Sequence, residues 1–466
     1  VKPPITPVEL NRQAQSEFIK SMSQMKSREI HPVFIDFDEL IEKTKIKGDV
    51  PIYYKKNIEN DIFNLVYLVD MGSNHDLMLR SAVQYLPYMG TSQYTPEEFK
   101  QELYKLGCSF NVWTGEDRIQ VSLSGLTENF EAGVKLFEHL LADALPNQEA
   151  LENLIKDILK NRADQKLNKG VILNAGMFNY GVYGKDSPFR NILTEEELLA
   201  LTPEQLIEKI KDITNYPHRI LYYGPHELKK LASLLSNLHH TPAAYKDIRE
   251  PKKFAELPTE ENKIYVCDYD MKQAEIIMLS KSVPYNSANI AVRSLFNEYY
   301  GGSMASVVFQ TLRESQALAY SVYGSYYTPD SHYIFSYIGT QADKMNEAMD
   351  GMFDLLNNMP QSDVSFKDSK EAIIERIRTE RITKEDILYR YEQQKRMGNE
   401  DRDIRKDIFE QVPLLEMQDL TVFFDRYIKD KKYTILVLGD TEKLDLAALE
   451  RFGSVKQLSL EEIFGY

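Results

Sequence analysis

In the stretch LRESQALAY, Arg313 and Tyr320 stand with six residues between them, where a helical pattern hands over to the strand-like YSVYGSYY. A guanidinium and a phenol both stay protonated at neutral pH, so such residues can donate to a carbonyl oxygen or to an oxyanion forming from it. On residue type alone, Arg313 reads as a solvated helix arginine and Tyr320 as a half-buried strand residue. Other chemistry is sparse. YYGGSMAS lacks the Lys-Ser/Thr ending of a phosphate loop, and no G-x-S-x-G elbow occurs. His139 follows Glu138, but Lys135 stands where a paired histidine would be needed, so it reads as an ordinary helix residue. His239 and His240 close a predicted helix, where cation placement near the C-terminus is reason enough. Cys108 and Cys267 form neither a metal spacing nor a redox pair and allow one bridge at most.

The elements that carry these residues occur twice. VYLVDMG, two helical stretches, the strands SFNVWTG and RIQVSLSGL, and the helix ENFEAGVKLFEHLLADAL make the first copy. AEIIMLSKSV, two helical stretches, YSVYGSYY, HYIFSYIGT and KMNEAMDGMFDLLNNM make the second. Each copy then continues mostly as helix and closes on a strand, HRILYYGP or YTILVLGD. Gly90 is expected to match Gly301, Phe110–Trp113 to match Tyr320–Tyr323, and Gly125 to match Gly339. The period of roughly 210 residues far exceeds that of a solenoid repeat and indicates a duplicated domain.

The expected fold class is therefore α+β: two similar domains, each a mainly antiparallel sheet covered by helices on one face. The expected boundaries are a lead-in over 1–49, a first domain over 50–240, a Pro- and charge-rich linker over 241–261, and a second domain over 262–466. In the lead-in, ITPVELNRQAQSEFIKSMSQM reads as a helix and EIHPVFIDFDELIEK as an extended piece and another helix.

Among 466 residues, 43% are hydrophobic and 27% charged, the composition of an ordinary globular protein. The net charge of −15 argues against a nucleic-acid partner, whose backbone demands clustered Lys and Arg. No apolar run is long enough to span a bilayer. The chain begins with Val1, so a missing signal peptide says nothing about export.

The two-copy layout, with GGSMASVVFQTLRESQALAYSVYGSYY, YMGTSQYTPEEFKQELYKLGCSFNVWTGED and the closing LEEIFGY, resembles the pitrilysin and insulin-degrading-enzyme family. Those zinc peptidases carry the inverted motif H-x-x-E-H. The resemblance implies four similar domains forming a clam-shell, with zinc on the first and an arginine and tyrosine contributed by the last. Here those two would be Arg313 and Tyr320, assisting catalysis across the chamber. Aligned on LPYMGT, the zinc motif falls on Ser81, Ala82, Val83, Gln84 and Tyr85, and the third ligand falls near Arg162, beside Asn161. Neither histidine is present, glutamine replaces the base, and an arginine would repel a cation.

The resemblance accordingly implies the C-terminal half, or a partner subunit, of a zinc metalloendopeptidase. It would have no cofactor in this chain and zinc in an N-terminal half or separate subunit. The implied partners are that half and a peptide substrate, and export to a periplasm is a further implication. SFNVWTG resembles the family's substrate-edge strand, retained here as inherited fold. The alternative is a scaffold or peptide-binding protein that kept the fold.

Overall fold

The computed structural model describes residues 16–25, 29–284, 286–326, 333–399 and 402–466. The opening of the expected lead-in helix and Tyr327 of the aromatic stretch lie outside these residues. Two six-stranded sheets organise the chain.

The first unit runs β1 (Glu42–Lys45), β2 (Pro51–Lys56), β3 (Ile62–Val69), α1 (Met78–Tyr85), α2 (Pro96–Lys105), β4 (Cys108–Thr114) and β5 (Ile119–Leu126). It continues through α3 (Phe130–Asp143), α4 (Gln148–Gln165), a π-helical turn (Ile172–Met177), α5 (Phe178–Tyr183), β6 (His218–Gly224) and α6 (Leu228–Leu238). The second runs β7 (Lys263–Asp268), β8 (Gln273–Lys281), α7 (Ile290–Tyr300), a π-helical turn (Phe309–Ser315), β9 (Ser321–Tyr326) and β10 (Tyr333–Gln341). It ends with α8 (Met345–Asn357), α9 (Asp363–Thr379), α10 (Asp386–Arg396), α11 (Met417–Tyr427), β11 (Thr434–Gly439), β12 (Ser454–Gln457) and α12 (Leu460–Phe464).

The sheet orders are β1-β2-β6-β3-β5-β4 and β12-β7-β11-β8-β10-β9, so the duplication is architectural. In each unit the last long strand inserts between the first two: β6 runs parallel to β2 and antiparallel to β3, and β11 does the same between β7 and β8. Only the outermost strand differs in origin. β1 opens the first unit, from within the expected lead-in, whereas β12 comes near the close of the second.

One expected match is corrected. A Cβ on Gly125 would meet Cys108 Sγ at 2.5 Å, on the helix-covered face, whereas one on Gly339 would approach Tyr337 and Ser321 on the opposite face. Matching the two glycines shifts the register by an odd number and flips the strand. Thr340, next to Gly339, is the residue on the helix-covered face; its hydroxyl donates to the Leu318 carbonyl at 2.5 Å.

Helices of each unit pack on one face of its own sheet: Phe63, Leu65, Tyr67, Val121 and Leu123 meet Phe130, Val134 and Phe137 in the first. The other face was expected to lack a helical cover, and the structure differs there. Ile172, Leu173 and Met177 from the first unit pack on Ile277, Leu279, Phe335 and Leu436 of the second sheet. Ile387, Leu388 and Tyr391 of α10, from the second unit, pack on Val66, Leu68 and Leu221 of the first. Both sheets are apolar on two faces, so each needs this second cover. The chain exchanges one helical segment in each direction.

Polar contacts fix each crossing. Arg219 Nη1 donates to Asp70 at 2.7 Å, while Nε donates at 2.9 Å to Glu392, a buried carboxylate on α10. In the reverse crossing, Lys169 donates to Glu275 on β8. Ser459 caps α12 and Gly465, at φ 83°, ends it, which sets Ile463 and Phe464 into the same core as Ile172. A Cβ on Gly176 would stand 2.5 Å from Ile463 Cγ2, so only glycine admits this approach.

His239 was expected to act as a cation at a helix end. It does cap that helix, but from a buried position, and its Nδ1 donates at 2.7 Å to Glu138 Oε1, which also accepts from the Tyr67 hydroxyl at 2.8 Å. Its Nε2 meets His218 Nε2 at 2.7 Å, and His218 Nδ1 donates to the Tyr216 carbonyl at 2.7 Å. A neutral His218 suits this chain, because its Nε2 can then accept from His239. Protonated, it would set N–H against N–H. Burial, with His239 beside it, pushes the His218 pKa down to about 4.

The exchange predicts that Leu388→Ala and Ile172→Ala, although in different units, each destabilise one shared transition by about 2–5 kcal/mol in urea denaturation. The histidine pair predicts acid lability with a defined sign. Unfolded His218 takes up a proton near its ordinary 6.5, and the folded residue does so only near 4. Its contribution is complete above pH 6.5 and falls by about 3 kcal/mol as the pH drops to 4. Denaturation midpoints across that range should show this slope, shallower in His218→Gln.

Candidate functional site

The route from Arg313 to Tyr320 starts on a π-helical turn, in which Gln316 N donates to the Thr311 carbonyl at 3.0 Å, five residues back. Such turns are frequent at functional positions because they displace a side chain from helical register. Ala317 then adopts a left-handed backbone, φ 52°, unusual for a residue with a side chain. Leu318 N closes the turn onto the Leu312 carbonyl at 2.8 Å, and Lys344 Nζ donates to the Ala317 carbonyl at 3.2 Å. Tyr320 N then joins the sheet through the Gly339 carbonyl at 2.8 Å. Further along β9, a Cβ on Gly301 would stand 2.2 Å from Gly324 N, so the end of α7 presses directly on the strand.

Both functional groups emerge into solvent. Arg313 lies over the Phe309 ring, with Cζ 4.7 Å from its centroid, and its Nε is 4.0 Å from the Glu314 carboxylate. Tyr320 is 53% exposed, and its hydroxyl accepts from Gln341 Nε2 at 2.6 Å. That bond orients the phenol and leaves its own proton free to donate. Arg313 and Tyr320 thus present donors at the two ends of one strained connection.

The positions aligned with the zinc motif share a cavity of about 430 Å³. Ser81 and Gln84 reach it from α1, and Asn161 and Arg162 from α4. Tyr85 does not. It is fully buried, and its hydroxyl donates to the Asn147 carbonyl at 2.7 Å and accepts from Asn147 N at 2.8 Å. Arg162 Nη2 donates to the Leu193 carbonyl at 2.7 Å, and Arg80, one residue before the aligned motif, faces the same cavity. Serines, amides, two guanidiniums and the single carboxylate Glu116 do not make a zinc-binding set, and the Tyr85 phenol is committed to Asn147. Arg80 and Gln165 at the cavity escaped the sequence reading, because no motif marks them. The two cysteines are unpaired and buried, one in each sheet.

Two helix-covered sheets that exchange segments, with an Arg–Tyr connection in the second and a non-metal cavity in the first, define a duplicated peptidase-like half-shell. Residues 222–377 match the family model described as the peptidase M16 inactive domain. An uncharacterized zinc protease of Rickettsia felis is 24% identical over 320 residues, 66% of this chain and 74% of that protein. The uncharacterized zinc protease YmxG of Bacillus subtilis is 22% identical over 65% of this chain and 75% of its own length. A peptidase M16 inactive domain from Pseudomonas fluorescens superposes with a TM-score of 0.65 at 16% identity, covering 86% of this chain and 98% of that one. The periplasmic protease PqqL of Escherichia coli gives 0.68 at 12% identity over 88% of this chain, which spans only 46% of PqqL. The chain thus shares its fold with M16 peptidases, and residues 222–377 carry the match to that family's inactive domain.

Because Arg313 and Tyr320 are exposed, Arg313→Ala and Tyr320→Phe are expected to shift unfolding free energy by no more than about 0.5 kcal/mol. Tyr85→Phe, which strips two hydrogen bonds from a buried site, is expected to cost about 1–3 kcal/mol. Paired thermal melts of the three variants check the contrast.

Proposed function

We propose that this chain is the non-catalytic half of a two-part zinc endopeptidase, either the C-terminal half of a longer chain or a partner subunit. It closes one side of a chamber and presents Arg313 and Tyr320 to a peptide held at the zinc of the other half. The observation that carries this reading is the Tyr320 hydroxyl: oriented by Gln341, exposed, and with its proton uncommitted. A guanidinium on the preceding turn supplies a second donor. Two such donors can stabilise the oxyanion that forms when a peptide carbonyl is attacked. The match to about half of PqqL supports the two-part arrangement. So does the ferredoxin protease FusC in complex with Arabidopsis ferredoxin, where a TM-score of 0.68 at 11% identity covers 94% of this chain and 49% of that one.

Zinc belongs to the other half in this reading, since Ser81, Gln84, Tyr85 and Arg162 offer no ligand set. The test mixes or fuses the chain with a zinc-bearing half and follows cleavage of a quenched peptide. Tyr320→Phe and Arg313→Ala are each expected to lower kcat by roughly 10²–10³, the cost of removing one oxyanion donor. The chain alone should cleave nothing and retain no stoichiometric zinc after dialysis. Parental turnover in both variants would make the pair structural and the chain a scaffold.

A further inference from the structure

The cavity between α1 and α4 has a composition at odds with the rest of the molecule. In a chain of net charge −15, its walls carry two arginines, Arg80 and Arg162, against one carboxylate, Glu116. Neither guanidinium forms an ion pair with a carboxylate among the described residues. Arg80 has only a 3.5 Å contact to the Ser73 hydroxyl, and Arg162 uses one nitrogen on the Leu193 carbonyl. The face of Arg162 is fixed by the Tyr466 ring, whose centroid lies 5.3 Å from Cζ. Burial, with the like charge of Arg80 beside it, pulls the Arg162 pKa down, so an anion between the two would relieve both costs.

The remaining walls combine amides with apolar residues such as Ile158, Phe189 and Leu198. Gln84 and Asn161, side by side with the arginines on the two helices, and Gln165 one turn on, make no side-chain hydrogen bond among the described residues. Amides offer both donors and acceptors, the complement of a peptide backbone. Guanidiniums offer forked donors, the complement of a carboxylate. The volume of about 430 Å³ falls in the range of about 300–1,000 Å³ typical of sites for small ligands.

We propose that this cavity is a binding site for a peptide carboxylate, held between Arg80 and Arg162 with the adjoining backbone on Gln84, Asn161 and Gln165. The carboxylate comes from a free C-terminus or from an Asp or Glu side chain. The site rests on the reading that the chain handles peptides, but it needs neither zinc nor the other half. Its charge preference is that of a cation centre, supplied by fixed guanidiniums.

The test titrates this chain against N-terminally dye-labelled hexapeptides by fluorescence anisotropy. One ends in a free carboxylate, one is C-amidated, and one is amidated with an internal glutamate. The free-acid or glutamate peptide should bind about tenfold or more tightly than the neutral amide, with affinity falling as salt rises. Which of the two binds identifies the source. Arg80→Gln and Arg162→Gln should each cost about tenfold, whereas Arg162→Lys should lose less, and Lys367→Ala, at an exposed position in the second unit, should bind normally. Thermal melts establish that the variants are folded. Equal binding of acid and amide, affinity unchanged in both glutamine variants, or displacement by inorganic phosphate at the peptide's own concentration would overturn the proposal. Binding is read without turnover, so its failure is distinct from a failure of Arg313 and Tyr320 in cleavage.

Discussion

The exchange of helical segments between the two sheets is the constraint on which the rest of this molecule depends. A central strand such as β6, with Ile220 and Tyr222 on one face and Leu221 and Tyr223 on the other, cannot leave either face in water. The helices of its own unit cover one. The second cover arrives from the other unit, anchored by the ion pairs of Arg219 with Asp70 and Glu392. The two domains are therefore halves of one packing problem. Their relative placement is set by buried side chains, and the 241–261 segment adds contacts to both units, Lys252 N donating to the Asn74 carbonyl and Thr259 Oγ1 accepting from Lys281 N.

That rigidity is what allows exposed residues to matter. Arg313 and Tyr320 owe their positions to a connection held at both ends, by the Leu312 carbonyl on one side and the Gly339 carbonyl on the other. The positive φ at Ala317 persists because the surrounding hydrogen bonds leave the chain no relaxed alternative. The cavity in the first unit is likewise built on secondary structure, with α1 and α4 supplying its charged wall. Side chains on helices and sheet ends are placed more reproducibly than those on loops, which suits donors that must meet a ligand without rearranging.

Much of this was legible in the sequence because it is local. Alternation in IQVSL and the apolar run YIFSYI marked strands, and the repeated order of strands and long helices marked the duplication. The positions aligned with the zinc motif could be listed by residue type. What escaped depends on long-range contact. Identical letters paired Gly125 with Gly339, although only the pleat decides which face a residue occupies. His239 looked like a helix terminus and proved to be the centre of a buried chain of hydrogen bonds reaching Tyr67, Glu138 and His218. Apolar runs such as ILYYG announced burial on both faces without saying which segment supplies the second cover.

Arg219 and Glu392 are 173 residues apart in sequence, and Lys169 and Glu275 are 106 apart. On the ribosome, the first sheet can form its ladder long before α10 emerges to cover it. The nascent chain must carry a bare apolar face while more than a third of its length is still being made. Contacts this distant reward the chain late, and surfaces left open in the interval invite association with other chains. The arrangement that makes the finished half-shell stiff thus makes its biosynthesis a race between translation and aggregation, and a holding chaperone would find its substrate on β3 and β6.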